Sequence, residues 1–136
     1  MKVKERYLVA LGDTDATGAI YYATYLYVFD RARIALYRET GLDLSIFNKM
    51  RAVAAYTEFK KVVTFGDVLD VYIWFCKLGN TSVKMCHEVY LGEQLAARGY
   101  VVDVYTENGR PTPIPADIRE KIEKVLEPEN LITYSC

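Results

Sequence analysis

Apolar and charged positions alternate at the start of the chain. Val3, Tyr7, Val9 and Leu11 share one parity, and Lys2, Lys4, Arg6 and Leu8 the other. A period of two predicts a strand with one apolar face. From about Tyr21 to Thr40 the period lengthens. Tyr25, Phe29, Ala32 and Leu36 fall at helical spacing and form one stripe, with Thr24, Arg31 and Arg38 away from it. Gly41 follows as a C′ residue tolerant of positive φ. The alternation then returns. Val53, Ala55, Thr57 and Phe59 oppose Tyr56, Glu58 and Lys60; Leu69, Val71, Ile73 and Phe75 oppose Asp70, Tyr72 and Trp74; Val83, Met85, His87 and Val89 share a third face. Leu95–Tyr105 reads as a further strand whose Gly99 marks a bulge or a close backbone approach. Gly66-Asp67, Gly79-Asn80, Gly92-Glu93 and Asn108-Gly109 punctuate these runs as turns. Pro113 and Pro115 precede a short helix with Ile118, Ile122 and Val125 inward.

The expected order is strand, long helix, four strands, short helix. This is an α+β chain with an antiparallel five-stranded sheet wrapped around one long central helix. Tyr72 and Trp74 lie opposite a face that is already apolar. Burial logic therefore calls for a dimer or a larger assembly.

The 136 residues fit one domain, 1–136, with a sizeable core. A formal net charge of -1 argues against nucleic acid as a partner. No apolar run reaches the length of a membrane span, and no leader pattern is visible. The three cysteines, Cys76, Cys86 and Cys136, have no paired spacing. The expectation is no disulfide framework and a cytoplasmic, reducing location. His87 is the only histidine. That argues against a histidine metal site, and on its apolar strand face His87 reads as a satisfied structural residue.

The loop after the first strand reads Gly12-Asp13-Thr14-Asp15-Ala16-Thr17-Gly18. Such material commonly makes turns. It also places carboxylates at a helix mouth that has no Ser, Thr, Asp or Asn directly before Tyr21 to cap it. The segment Leu11–Gly41 resembles the 4-hydroxybenzoyl-CoA thioesterase family of hotdog-fold proteins. The resemblance rests on Asp13-Thr14-Asp15-Ala16-Thr17-Gly18, then Tyr22, Ala23-Thr24-Tyr25-Leu26 and Asp30-Arg31-Ala32-Arg33. Weaker similarity continues through Phe65–Leu69 and Asn108–Pro115. Thr24 stands where the family commonly has Asn, and Tyr22 where many members have His.

The resemblance implies a hydrolase that cleaves acyl-CoA thioesters to free acid and CoA, with no metal or other cofactor. Release of acyl chains from a carrier protein and non-catalytic acyl-CoA binding are the alternatives. Asp15 would be nucleophile or general base, the latter aided by a raised pKa. The Tyr22 backbone N–H at the helix start would meet the oxyanion, and Gly18 would allow the sharp turn. Substrate contacts would come from Tyr25, Thr57, Glu58 and Phe59, and from Lys60, Lys61 and Arg98 facing CoA phosphates. Trp74 and several tyrosines are candidates for an acyl pocket. Asp13 reads as structural, and Asp30–Arg33 as a surface ion pair. Sites at the interface of a homodimer or homotetramer complete the expectation.

Overall fold

The computed structural model describes residues 1–128. Its elements are β1 (Val3–Leu8), α1 (Thr24–Glu39), β2 (Met50–Phe59), β3 (Val68–Leu78), β4 (Ser82–Leu91), β5 (Gln94–Glu107), the two-residue β6 (Arg110–Pro111) and α2 (Ala116–Glu123). Short 3-10 turns at Leu11–Asp13 and Leu44–Asn48 precede α1 and β2. Every pairing is antiparallel, in the order β1-β3-β4-β5-β2, with β6 added to the end of β5. The expected architecture is present, with β6 as an unforeseen sixth strand.

The alternation in β3 and β4 fixes their inner face. Leu69, Val71, Ile73 and Phe75 are buried, as are Val83, Met85, His87 and Val89. Against them lies the α1 stripe of Tyr25, Phe29, Ala32 and Leu36, joined by Val28. Each large apolar side chain buried this way contributes roughly 1.5–3 kcal/mol. The helix ends as its sequence foretells. Gly41 takes φ 80°, and the Leu42 N–H reaches back to the Tyr37 carbonyl at 3.0 Å.

Several details differ. β1 stops at Leu8 rather than Leu11, and α1 starts at Thr24 rather than Tyr21, because the intervening chain is used in turns. β2 begins at Met50 and is irregular between Ala52 and Ala54. Beyond it Ala55 and Phe59 face the α1 side as expected, Phe59 52% exposed but 5.4 Å from the Tyr25 ring, and Glu58 is buried on the opposite face with Arg98; before it the parity differs, with Met50 in the core and Val53 60% exposed. β2 is also an edge strand, and α1 leans on β1 and β3 instead. Gly99 is a close approach. A Cβ there would overlap the Tyr56 carbonyl oxygen and lie 2.8 Å from His87 Cε1.

Two expectations are corrected. Cys76 and Cys86 form a disulfide across β3 and β4, with Cα atoms 5.9 Å apart. The antiparallel hairpin brings together cysteines that no short spacing connects. The case for a reducing compartment drawn from unpaired cysteines falls with it. Cys136 lies outside the described residues. Trp74 does not need a second subunit either. It is 8% exposed, beside the disulfide and beneath Lys2, whose Nζ is 4.4 Å from the ring. Tyr72 packs edge-on against Tyr90. The large apolar side chains left in solvent lie elsewhere, notably Leu26, Tyr27, Val53, Phe59 and Val62. Among the described residues no helix is long and apolar enough to cross a membrane.

Candidate active site

Asp13 builds the loop. Its carboxylate accepts from the Ala10 N–H at 2.8 Å and the Tyr7 hydroxyl at 2.9 Å. Its carbonyl accepts from the Tyr21 N–H at 2.9 Å and the Thr24 hydroxyl at 3.1 Å. One residue therefore ties the end of β1 to the start of α1, which is the structural role its sequence suggests.

Asp15, two residues on, points into solvent. A bridge between Thr14 and Ile20 closes the loop around it. The Gly18 N–H donates to the Asp15 carbonyl at 3.0 Å, and Gly18 takes φ 83°. An L side chain rarely adopts that angle. One Asp15 oxygen accepts from the Thr17 hydroxyl at 2.5 Å and the Thr17 N–H at 2.8 Å. These bonds, the hydroxyl foremost, hold the carboxyl below the usual carboxylate range. The raised pKa that would favour a general base is absent, because the burial it requires is absent.

The first helical turn is tight. Thr24 N–H donates to the Tyr21 carbonyl at 2.8 Å, and Tyr25 N–H to that of Tyr22 at 3.3 Å. No side chain caps it. Among the described residues the Tyr22 and Ala23 N–H groups have no acceptor. They are the open donors of the positive helix end.

A cavity of about 290 Å³ begins beside this turn. It gathers Tyr22, Tyr25, Phe59, Lys60 and Lys61 with Ala19 of the loop, whose carbonyl accepts from Asp15 N–H. Most of the expected site residues thus converge. Thr57 and Glu58 do not line it. Thr57 sits opposite Gly99 within the sheet, and Glu58 is bonded to Lys60 and Arg98, each at 3.0 Å. Those partners, Lys60 first, hold the Glu58 carboxyl below its ordinary range. Lys61 has no ion-pair partner among the described residues. Trp74 lies on the outer face of the sheet, away from this cavity.

A second cavity of about 340 Å³ opens farther along α1, between Leu26, Phe29 and Arg33 and the β2 residues Ala52 and Ala55. His87 is in its wall. Rings connect the two cavities: Phe59 to Tyr25 at 5.4 Å, Tyr25 to Phe29 at 6.0 Å, and Phe29 to His87 at 3.3 Å between centroids. His87 is not satisfied as expected. It is 1% exposed, and beyond its own main chain neither ring nitrogen has a partner among the described residues. Burial pulls its pKa down to about 3, so the ring is neutral. Sequence reasoning passed over this residue because a pattern shows a face but not a missing partner.

Arg33 also does more than expected. It bonds the exposed Asp30 at 2.8 Å, and its Nη1 donates to both oxygens of the fully buried Asp103, at 3.1 and 2.8 Å. Among the described residues no cluster of His, Cys, Asp or Glu is arranged to hold a metal ion.

The profile of the thioesterase-like superfamily matches residues 9–122. The chain belongs to this superfamily. It is a thioester hydrolase by family, and its sheet around a central helix is the hotdog fold. A predicted thioesterase from Bacillus stearothermophilus is similar at 25% identity, with a TM-score of 0.87 over 96% of this chain and 100% of that one. A thioesterase from Thermus thermophilus, complexed with coenzyme A and Zn, is similar at 29% identity, with a TM-score of 0.83 over 89% and 91%. A mutant 4-hydroxybenzoyl-CoA thioesterase complexed with 4-hydroxybenzoyl-CoA shares the fold at 20% identity, with a TM-score of 0.79 over 89% and 98%. No curated protein matches this chain significantly.

Proposed function

We propose that this protein hydrolyses acyl-CoA thioesters, with Asp15 as the reactive carboxylate and the start of α1 as the oxyanion site. The observation that carries the reading is the pairing of an exposed, ionised Asp15 with the open Tyr22 and Ala23 N–H groups across one short loop. The similar Thermus thermophilus thioesterase, which binds coenzyme A, supports CoA as the leaving group.

The proposed chemistry needs only these parts. The thioester carbonyl oxygen accepts from the Tyr22 N–H, where negative charge develops as the carbonyl carbon becomes tetrahedral. Asp15 attacks that carbon, the carbon–sulfur bond breaks, and CoA leaves as a thiolate that takes a proton from water. Water then cleaves the mixed anhydride to release the acid and regenerate Asp15. A carboxyl held below its usual range is a weak base, which favours attack over proton abstraction. Phe59 and Tyr25 flank the acyl entry, and Lys61 is the cation for a CoA phosphate.

We further propose a homodimer built on the open edge of β2, whose residues Ala52–Ala55 are exposed. Size-exclusion chromatography with light scattering should give twice the chain mass, and a monomer would refute the dimer.

The test of the activity is thiol release from short, long and aromatic acyl-CoAs by the parent protein and Asp15→Asn. The expected loss is about 10²-fold or more in kcat, with substrate still bound. Because its pKa is lowered, Asp15 stays ionised until the pH falls below the ordinary carboxylate range. The parent kcat/KM should therefore show no acid limb between pH 5 and 8. An Asp15→Asn variant as active as the parent sinks the mechanism.

A further inference from the structure

We infer that the acyl group this enzyme prefers is an unbranched aliphatic chain of about ten carbons, laid along the seam between α1 and β2, and that Ala55 keeps the seam open to it. The inference rests on the thioesterase reading and names its substrate class. It is carried by the way the two cavities line up. Tyr22, Leu26, Phe29 and Arg33 recur at spacings of three and four, so they fall on one side of the helix and its first turn. Phe59 and Ala55, four apart on a strand, share one face of β2. Tyr22 and Phe59 line the cavity of about 290 Å³ beside the catalytic loop. Leu26, Phe29, Arg33 and Ala55 line the cavity of about 340 Å³. The two therefore lie end to end between the same helix face and the same strand face. The series starts where the thioester carbonyl is proposed to bind and leads away along α1.

The lining selects the occupant. The floor of the second cavity includes Ile73, Met85 and Val101, all apolar. The His87 ring nitrogens are buried away from it, so the floor offers no hydrogen bond. Its polar members are the exposed Tyr27 and, farthest along α1 from Tyr22, Asp30 and Arg33. Arg33 is already divided between Asp30 and Asp103. A distal carboxylate would meet two acids there rather than a free cation, whereas a methyl end can stop short of the pair. An aroyl group would occupy the first cavity and leave the apolar walls of the second without contact. A flexible chain reaches both, and each methylene removed from water adds to binding. From Tyr22 to Asp30 the chain advances about 12 Å along the helix axis, the extended length of roughly ten carbons. Ala55 is small and exposed, and it is the β2 residue of the second cavity nearest Phe59. A larger side chain there would close the passage.

The experiment titrates non-hydrolysable thioethers, S-butyl-, S-hexyl-, S-decyl- and S-hexadecyl-CoA, into the parent protein by calorimetry. Kd should fall about two- to fourfold per added carbon up to decyl, and gain nothing from decyl to hexadecyl. Ala55→Phe should reduce the advantage of decyl over butyl at least tenfold. Leu26→Phe, which narrows the seam from the helix side, should do the same. In parallel, kcat/KM of the parent for decanoyl-CoA should exceed that for butyryl-CoA and for benzoyl-CoA at least tenfold. Affinity that does not rise with chain length overturns the inference, and side chains of a second copy filling the seam would give that result. So does a decyl advantage unchanged in both variants, or a preference for benzoyl-CoA. If no thioester is cleaved at all, the thioesterase reading fails, and the thioether series still decides whether the seam takes an alkyl chain.

Discussion

Replacing Arg33 with Met should separate a buried ion pair from a surface one on the same side chain. Asp103 is fully buried, and Arg33 Nη1 donates to both its oxygens. The Tyr37 hydroxyl lies within electrostatic reach of this carboxylate but makes no hydrogen bond of good geometry. Removing the guanidinium therefore leaves a buried carboxylate without its main partner, which costs about 3–5 kcal/mol. The exposed link from Arg33 to Asp30 is worth about 0–1 kcal/mol, so Asp30→Asn should barely register. A loss of the first size is a large share of the roughly 5–15 kcal/mol that holds a domain together.

The pH dependence gives the argument its sign. Desolvation raises the Asp103 pKa above the ordinary value, against the lowering effect of Arg33. A carboxyl with a raised folded-state pKa holds its proton in the native chain after the unfolded chain has lost it. Its contribution is fully present below the unfolded pKa and is lost as pH rises through the folded pKa. Without Arg33 the raising influence loses its main opponent, so the Arg33→Met deficit should shrink as pH falls from 7.5 to 5.5. Urea melts at both values measure it. The double variant Arg33→Met/Asp103→Leu should recover most of the stability, since an apolar pair can replace a buried ionic one. Three results would refute the reasoning: a loss under about 1 kcal/mol, a deficit equal at both pH values, or no recovery in the double variant.

Other perturbations test separate parts of the molecule. Gly99→Ala forces a Cβ into the Tyr56 carbonyl, so β5 must part from β2; the expected loss is about 3 kcal/mol or more, seen in denaturant melts, and parent-like stability would refute the close approach. Lys61→Ala should raise KM for an acyl-CoA about two- to fivefold with kcat unchanged, an effect that fades with added salt. Lys60→Ala should do less, because Glu58 already engages that ammonium, and equal effects would contradict this division. Reducing the Cys76–Cys86 bond, which spans a sequence separation of 10, should lower unfolding free energy by about 2.5–3 kcal/mol, and a melt indifferent to reductant would refute the linkage.

The central helix was legible because its stripe from Tyr25 to Leu36 repeats at one period for about three turns and Gly41 ends it. The inner faces of β3 and β4 were legible because their alternation is unbroken. β2 was legible beyond Ala54, where Ala55 and Phe59 face α1 as their alternation predicts, but not before it, since the irregularity at Ala52–Ala54 turns Met50 and Ala52 inward instead. The loop with Asp13 and Asp15 was visible as residues, and the convergence of Lys60, Lys61 and Phe59 on it followed from the resemblance. Three features depended on contacts between distant segments. Cys76 meets Cys86 only after β3 and β4 pair, Arg33 finds Asp103 only after α1 lies on the sheet, and the lack of a partner for the His87 ring nitrogens shows only once the residues around the ring are in place.

These features meet along one seam. α1 packs against β1 and β3, which leaves its flank toward β2 uncovered. Both cavities open there, and so do the exposed Leu26, Tyr27 and Phe59. A gap of this kind in a small domain forfeits apolar contact, so something else must supply it. Under the proposed dimer, paired β2 edges extend the sheet and cover part of the seam, and an acyl group fills the rest. Substrate binding should then tighten the dimer, because each occupies space bordered by the other. Dissociation measured by dilution should shift to lower protein concentration when S-decyl-CoA is present. A dimer equally strong with and without it would mean that the acyl chamber lies wholly within one subunit.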